Sequence, residues 1–368
     1  MDRRSFIRNA GVLAGGSALG GVLAAPAIAQ EMPALRWRLA SDYPAQLDII
    51  YAGALELARR VGEMTGGRFT IEVSPTGAVV PTLGLLDAVK ARTVEMGQTA
   101  SYNYSNVDPT FAFGTAVPFG LNSRKQNAWM YHGGGLDLLN AFYANYGIHA
   151  LLGGNTGAQM GGWFRNEIRS VADFAGLRFR VGGFAGRVFA KLGAAPQALP
   201  VAAILSAFED GSIDAAELIG PYEDEIFKLN TVASNYYYPG WWEGGAMLMF
   251  WVNRDAWEEL PAIYRAVLET AAAAVNVDMQ ARYDVANPPA LKRLVAGGTQ
   301  LRAFSPEILT ACLAAANAVY AEISAENPGF KAVYDAMVAF RAEEYGWMRL
   351  TDATFDAFMA AEQAAGRL

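Results

Sequence analysis

The chain of 368 residues is acidic, with 29 Lys and Arg against 36 Asp and Glu and a formal net charge of −7. That balance disfavours nucleic acid or an anionic lipid surface as a partner, because both repel negative charge. Cys312 is the only cysteine, which excludes an internal disulfide and a Cys-based zinc site. With only His132 and His149, histidine-based metal sites, a Ser-His-Asp triad and a Cys-His pair are nearly excluded too.

The first 29 residues have the pattern of an export signal. Arg-Arg-Ser-Phe-Ile occupies 3–7, a moderately apolar run covers 11–23, and 27–29 reads Ala-Ile-Ala. The run is shorter than the roughly 20 residues of a spanning helix, which disfavours an N-terminal membrane anchor. The pattern predicts a Tat signal peptide (1–29), cleaved after Ala29, and a periplasmic protein. Removing its one aspartate and three arginines leaves 339 residues with a charge of −9, a length that suggests two domains.

Strand and helix patterns alternate after this segment. Residues 35–40 alternate apolar and polar side chains as a strand does, and 47–64 has the apolar spacing of a helix. The rhythm continues with predicted strands at 69–73, 94–99, 148–153, 163–164 and 177–181 and predicted helices at 81–92 and 183–192. This alternation predicts an α/β fold with a largely parallel sheet.

The second half becomes richer in helices. It contains a predicted helix at 202–209, strands at 215–218 and 246–253, and helical patterns at 255–283, 306–325, 329–346 and 352–366. We predict two α/β lobes, the first from 30–153 plus about 253–300 and the second from 154–252. Residues 301–368 are expected to form C-terminal helices that pack on the lobes. Chain crossings near Gly153 and Asn253 predict a hinge, and a cleft between lobes is a favoured ligand site.

Four polar residues flank the expected cleft. Gln159 lies in GGNTGAQMGGW, whose glycines let the backbone approach a ligand closely, with Asn155 in the same segment. Arg180 and Glu217 end short strands, where open α/β sheets bind ligands. Glu243 lies in YYYPGWWEGG at 236–245, among three tyrosines, two tryptophans and three glycines. An ionised carboxylate in apolar surroundings needs a cation or a donor, so we expect a partner for Glu243.

These residue types favour an organic anion together with a hard cation. A guanidinium can hold a carboxylate through two parallel hydrogen bonds, although a structural ion pair is an equal alternative for Arg180. Two carboxylates and an amide oxygen suit Na⁺ or Ca²⁺ better than zinc or copper. The acidic run 223–225 is interpreted as a solvated turn. Two rival classes stay open: an exported glycosidase that uses Glu217 and Glu243, and a structural protein whose aromatic residues are only core.

Several blocks of sequence together resemble one family. In chain order they are TASYNY, DPTFAFGTAVPFGLN, GGNTGAQMGGWFR, GLRFRVGG, AKLGAAP, GSIDAAE, YYYPGWWEGG and NPGFKAVYDAMVAFR. Their order and content are similar to the periplasmic substrate-binding subunits of TRAP transporters, and more narrowly to the branch that binds 2-oxoacids such as pyruvate. The resemblance covers nearly all of the chain after residue 29. It implies a two-lobed periplasmic binding protein with a hinge, which closes around an organic anion and catalyses no reaction.

The resemblance also implies roles for individual residues. Arg180 matches the arginine that holds the substrate carboxylate, and Gln159 matches a residue that contacts both substrate and metal ion. Glu217 and Glu243 match the ion-binding acids, and Leu218 matches a position that binds the ion through its main-chain carbonyl. The ion is typically Na⁺ in this branch. Two further candidates for substrate contact are Asn155 and Tyr102.

One departure concerns position 218. Members of the branch carry Trp after the first acid, whereas this chain has Leu218. A smaller side chain there predicts room for a branched or longer 2-oxoacid, or for a 2-hydroxy acid such as lactate. Ca²⁺ is an alternative to Na⁺, because a divalent ion and Arg180 together neutralise two glutamates and a substrate carboxylate. The implied partners are the TRAP membrane subunits, and the alanine-rich region 255–283 is compatible with a homodimer.

Overall fold

The computed structural model describes residues 33–81 and 83–368, so the predicted signal peptide (1–29) lies outside the described residues. Two β-sheets organise the described chain, one in each lobe. The strands are β1 (Leu35–Ser41), β2 (Phe69–Ser74), β3 (Met96–Thr99), β4 (Ile148–Asn155), β5 (Gly162–Phe164), β6 (Arg178–Arg180), β7 (Ala195–Gln197), β8 (Ala215–Ala216), β9 (Asn235–Tyr238), β10 (Met247–Asn253) and β11 (Gln300–Ala303).

Both sheets are largely parallel, and each contains one strand of opposite direction. The first sheet has the order β2-β1-β3-β10-β4 and the second β11-β9-β5-β8-β6-β7. In the first sheet β10 runs antiparallel to both β3 and β4. In the second sheet β5 runs antiparallel to both β8 and β9. The prediction of a largely parallel sheet is therefore confirmed, since four of the five strands of the first sheet and five of the six strands of the second run in the same direction. The one strand of opposite direction in each sheet, β10 or β5, arrives from the other lobe.

Helices cover the sheets and connect the strands. They are α1 (Asp48–Met64), α2 (Leu85–Lys90), α3 (Ser123–His132), α4 (Gly135–Tyr143), α5 (Gly183–Lys191), α6 (Ile204–Glu209), α7 (Pro221–Ile226), α8 (Arg254–Glu259), α9 (Ala262–Ala296), α10 (Pro306–Glu326), α11 (Pro328–Leu350) and α12 (Asp352–Ala364). Helix α1 buries its apolar face, including Leu57 and Val61, because these side chains recur at helical spacing. The sequence patterns missed α3, α4 and α7 together with strands β7, β9 and β11.

The chain passes between the two sheets through two short segments. Residues 156–161 lead from β4 to β5, and 239–246 lead from β9 back to β10. Strand β10 belongs to the first sheet although the predicted boundary put 154–252 in the second lobe. Strand β11 belongs to the second sheet, although most of it falls within 301–368, which was predicted to be helical. Strand partners separated by many residues set these boundaries, which local patterns do not reveal.

Long helices join the two lobes. Helix α9 packs on α1 and β4 of the first lobe and on α7 of the second. Helix α10 packs on α5 of the second lobe, whereas α11 packs on α3 and α4 of the first. By length and composition α10 is the one described helix that could cross a membrane, yet it buries Cys312, Ala316 and Tyr320 in the protein. We therefore interpret α10 as a core helix.

Candidate functional site

The two segments that connect the lobes lie side by side and carry Gln159 and Glu243. The amide of Gln159 donates to the carbonyl of Glu243 over 3.1 Å, and the amide of Gly240 donates to the carbonyl of Gln159 over 3.0 Å. A Cβ at Gly240 would lie 2.7 Å from the carbonyl oxygen of Gln159, so only glycine allows this approach. The hinge itself therefore holds two of the predicted ion-binding residues together.

The strand ends of the second sheet supply Arg180 and Glu217. Strands β6 and β8 are parallel neighbours, with Arg180 opposite Ala216, and the amide of Glu217 donates to the carbonyl of Arg180 over 3.0 Å. The Arg180 guanidinium donates to the main-chain carbonyls of Leu199, over 3.2 Å, and of Glu217. Its Nη1 lies 3.6 Å from Oε2 of Glu217. These contacts orient the guanidinium and place it beside the Glu217 carboxylate.

Glu217 and Glu243 are buried carboxyl groups, only 3% and 4% exposed. Burial, and then the charge of Glu243, raise the pKa of Glu217 well above its ordinary value, although Arg180 opposes the rise. Burial likewise raises the pKa of Glu243 to about 7, against the lowering influence of Tyr102 and Arg180. One guanidinium serves two buried carboxylates, so one negative charge is left uncompensated when both carboxylates are ionised.

Unsatisfied oxygens show how this charge could be compensated. Oε2 of Glu243 and Oε1 of Gln159 are both buried without a hydrogen-bond partner. Both atoms are acceptors, and a cation satisfies acceptors where another protein acceptor cannot. No group of three or more His, Cys, Asp or Glu that could hold a metal occurs in residues 33–81 and 83–368. The residues therefore fit Na⁺ or Ca²⁺, which accept amide and main-chain oxygens, better than a transition metal.

Tyr102 reaches this group from the first lobe. It lies in a short 3₁₀ turn after β3, and its ring packs on Gly183 at the start of α5. Gly183 has a φ of +57°, and a Cβ there would lie 3.4 Å from Cγ of Tyr102. Burial, followed by the charges of Glu243 and Glu217, raises the pKa of Tyr102 well above its usual value. The tyrosine therefore closes one side of the site from the opposite lobe.

Asn155 and Leu218 also lie near the hinge. Asn155 ends β4 and is fully buried, and its Oδ1 accepts a hydrogen bond from the amide of Gly157 over 2.8 Å. Its Nδ2 donates no hydrogen bond and is free for an acceptor. Leu218 follows Glu217 directly and is buried in an apolar cluster with Ile219, with Tyr102 packed against that cluster. Both positions fit the predicted substrate contacts, which stay predictions.

Sequence reasoning missed Tyr43 and Thr156. Tyr43 follows β1 at the cleft, and burial, then the charges of Asp42 and Glu243, raise its pKa. The Thr156 hydroxyl accepts a hydrogen bond from Nε2 of Gln159 over 3.1 Å, which turns Oε1 of that amide towards the site. The position of Tyr43 after a predicted strand was an available signal. The bond to Gln159 depends on the folded segment 156–161 and had no such signal.

The acidic run 223–225 is not a solvated turn. It lies in α7, where Glu223 is fully buried and Asp224 is 1% exposed, and only Glu225 forms a surface ion pair, with Arg293. Asp224 accepts hydrogen bonds from Trp163 over 2.9 Å and from Tyr236 over 2.6 Å. The hydrogen-bond partners of Asp224 lie far from it in sequence, so only tertiary contacts explain why this run is buried.

A partly buried arginine, paired acids and an amide at the hinge of two α/β lobes define a protein that binds small solutes. A family model for bacterial extracellular solute-binding proteins, family 7, matches residues 40–327. The chain belongs to this family. The predicted family resemblance and the predicted fold class are thereby confirmed.

Individual relatives agree with this assignment. The monocarboxylate 2-oxoacid-binding periplasmic protein of Nostoc sp. is 44% identical over 332 residues, 90% of this chain and 91% of the relative. A TRAP transporter solute binding protein from Bordetella bronchiseptica RB50 is 43% identical with a TM-score of 0.88, over 91% of this chain and 99% of that one. It is described as a mixed-occupancy dimer with copurified calcium and picolinate. A TRAP solute binding protein from Pseudoalteromonas atlantica T6c, with bound sodium and pyruvate, is 36% identical with a TM-score of 0.84, over 87% and 98%.

Proposed function

We propose that the protein is the extracytoplasmic receptor of a TRAP transporter and captures a small 2-oxoacid anion such as pyruvate. The observation that carries the proposal is a partly buried guanidinium beside the buried Glu217, together with the buried Glu243 and an unpartnered amide oxygen. The names of the Nostoc and Pseudoalteromonas relatives support this substrate class. The TRAP membrane subunits are the partners that receive the anion.

Each residue of the site has a distinct role in this proposal. Arg180 holds the substrate carboxylate through parallel hydrogen bonds, as its fixed orientation allows. Gln159, Glu217, Glu243 and the carbonyl of Leu218 hold Na⁺ or Ca²⁺. When bound, the ion would supply positive charge that offsets the two glutamates and the substrate carboxylate. Because Gln159 and Glu243 lie on the hinge, their attraction to ion and substrate favours the closed lobes.

Tyr102 and Asn155 complete the proposed anion site. Tyr102 reaches the site from the first lobe and packs on Gly183 of the second, so the tyrosine contacts the substrate only when the lobes are close. The free Nδ2 of Asn155 is a donor for a substrate oxygen. Donors from both sides of the hinge couple anion capture to closure.

Leu218 sets the size of the anion in this proposal. Its side chain lies in the apolar cluster against which Tyr102 packs, so it forms part of the wall near Glu217. A leucine occupies less volume than the tryptophan expected in the branch. The site should therefore accept 2-oxobutyrate or 2-oxoisovalerate as well as pyruvate. A 2-hydroxy acid such as lactate, held with Ca²⁺, is the alternative ligand.

A thermal-shift panel tests the function. Chelator-treated protein is heated with pyruvate, 2-oxobutyrate, 2-oxoisovalerate or lactate, each with Na⁺, Ca²⁺ or chelator. A ligand that binds only the folded state raises the melting temperature logarithmically with its concentration. We expect a shift with 2-oxoacids that depends on the ion. No shift with any of these anions would refute the proposal.

The proposed receptor has no catalytic role, and the glycosidase alternative can be tested directly. Two carboxylates beside a sugar could act as acid and base, but an arginine beside Glu217 favours an anion. Purified protein is incubated with a panel of aryl glycosides, and Glu217→Gln serves as the control. Hydrolysis that this variant abolishes would overturn the receptor assignment.

The route of export and the place of action belong to the same proposal. The twin arginines at 3–4, the apolar run and the Ala-Ile-Ala sequence support Tat export and cleavage after Ala29. The family description supports an extracellular or periplasmic location. Replacing both arginines by lysine should retain the precursor in the cytoplasm. Normal periplasmic accumulation of that variant would refute the Tat route.

We also propose a homodimer, formed through the end of α11 and α12. Helix α12 has no buried residue, and its Phe355 and Phe358 are 64% and 60% exposed. Trp347 and Leu350 near the end of α11 are also exposed apolar side chains. The alanine-rich region 255–283, by contrast, buries much of its apolar side against both lobes. A second copy of the chain would cover the exposed face, as the dimer described for the Bordetella relative supports.

A further inference from the structure

Asp224 is a buried carboxylate directly behind the segment that holds Glu217. Its Oδ2 accepts hydrogen bonds from Nε1 of Trp163 and from the hydroxyl of Tyr236, and the amide of Ile219 points at Oδ1 over 3.5 Å. Burial raises the pKa of Asp224 to about 6, and these donors oppose the rise because they favour the ionised acid, so Asp224 is ionised at neutral pH. No basic side chain in the described part of the chain forms an ion pair with Asp224.

The two side-chain donors to Asp224 are held in register by the second sheet. Trp163 of β5 lies opposite Tyr236 of β9, and their rings stack with centroids 4.0 Å apart and an interplanar angle of 15°. Trp163 also lies opposite Ala216 of β8, and Ala216 lies opposite Arg180 of β6. One row across the sheet therefore joins the donors of Asp224 to the strand ends that carry Arg180 and Glu217.

The short segment 217–220 connects β8 to α7, which carries Asp224. Through Ile219 and the ring pair, Asp224 ties the start of α7 back to the sheet that this segment leaves. The Leu218 carbonyl and the Glu217 side chain belong to the segment that these contacts of Asp224 restrain. In addition to burial and the charge of Glu243, the charge of Asp224 raises the pKa of Glu217, so the two acids interact electrostatically.

The negative charge of Asp224 adds to an excess of buried negative charge near the ion site. Glu217, Glu243 and Asp224 are three of the four buried acids in the described residues, the fourth being Glu223 beside Asp224, and Arg180 acts on these three. Uncompensated charge is costly in a buried region, because water cannot screen it. A substrate carboxylate adds one further negative charge. A divalent cation offsets twice as much of this excess as a monovalent one.

We propose that Asp224 is a positioning residue for the ion site and that its buried charge favours a divalent cation over a monovalent one. This inference rests on the proposed function. Asp224 contacts neither ion nor substrate in this proposal. It acts through the segment that carries Glu217 and through the electrostatic field at the site.

The test compares Ca²⁺ and Na⁺ affinity in wild-type protein and in Asp224→Asn. Ions are titrated calorimetrically into chelator-treated protein at fixed pyruvate, in a buffer whose own cation is large and organic. The energy between a fixed charge and an ion scales with the ion's charge, so the fold-loss for Ca²⁺ should be the square of that for Na⁺. We expect losses of about 25-fold and about 5-fold, respectively, for an electrostatic effect of ordinary size.

Two further variants separate charge from geometry. Glu225→Gln removes one negative charge from the same helix, but at an exposed ion pair with Arg293, and should leave both affinities unchanged. Tyr236→Phe keeps the charge of Asp224 and removes one donor, so both ions should lose affinity by the same few-fold factor. Near-ultraviolet circular dichroism of Trp163 and its neighbours reports on the ring pair without any ion.

Each outcome decides the inference. Equal losses for both ions in Asp224→Asn would refute the charge effect, and unchanged affinities would refute both parts. If Asp224→Asn does not fold, unchanged ion affinity in Tyr236→Phe overturns the positioning role. Wild-type protein that binds neither cations nor 2-oxoacids would instead refute the proposed function.

Discussion

Replacing Arg180 by alanine should separate anion binding from cation binding. The guanidinium is 16% exposed and lies 3.6 Å from the carboxylate of Glu217. Its removal deletes the charged hydrogen bonds to the substrate, each worth about 1.5–3 kcal/mol. We expect pyruvate affinity to fall by about 3 kcal/mol, which is about 150-fold. Ca²⁺ alone should bind more tightly, because a positive charge beside the ion-binding acids has gone.

The assay is isothermal titration at pH 8.5, where Glu243 with a pKa of about 7 is ionised. Pyruvate is titrated at saturating Ca²⁺, and Ca²⁺ is titrated without any oxoacid. Arg180→Lys keeps the charge and loses the planar fork, so its pyruvate affinity should fall between wild type and alanine. Arg178→Ala is the matched control, because Arg178 shares the strand but forms an exposed ion pair with Asp214.

Two results would refute this reasoning. Pyruvate affinity close to wild type in Arg180→Ala would mean that another group holds the carboxylate. A parallel loss of pyruvate and Ca²⁺ binding would mean that Arg180 maintains the fold of the site rather than binding the anion. An effect of Arg178→Ala as large as that of Arg180→Ala would mean that both substitutions act by disturbing the second sheet as a whole.

Three further predictions concern pH, substrate size and assembly. The pKa of Glu243 is raised to about 7 in the native state, so between about pH 5 and 7 the ion-free native state keeps a proton that the unfolded chain has lost. This contribution to stability is lost as the pH rises through 7. The melting-temperature gain from Ca²⁺ should therefore grow from pH 6 to pH 8, and a gain that shrinks would contradict the assignment. Leu218→Trp should lower the affinity for 2-oxoisovalerate at least about tenfold relative to that for pyruvate in calorimetry. An unchanged ratio of the two affinities would mean that Leu218 does not line the substrate site. Phe355→Glu with Phe358→Glu should give a monomer in light scattering with normal pyruvate affinity, and a persistent dimer would place the interface elsewhere.

Local patterns in the sequence were enough to find most elements and several site residues. The alternating strand 35–40 and the helical spacing at 47–64 closely match β1 and α1, because one buried face imposes a period of 2 or 3.6. Arg180 and Glu217 lie at the carboxyl ends of parallel strands, as predicted from their positions. A lone carboxylate among aromatic residues was sufficient to single out Glu243. These features depend on neighbours in the chain.

Only the tertiary structure decided which distant segments meet. It joined 156–161 to 239–246 and thereby placed Gln159 against Glu243. It put β10 in the first sheet and gave each sheet one strand of opposite direction, because hydrogen-bond partners far apart in sequence determine strand order. It also buried Asp224 under Trp163 and Tyr236, where charge alone predicted a solvated turn. A carboxylate is solvated or buried according to the donors that the fold brings to it, and the local sequence does not contain those donors.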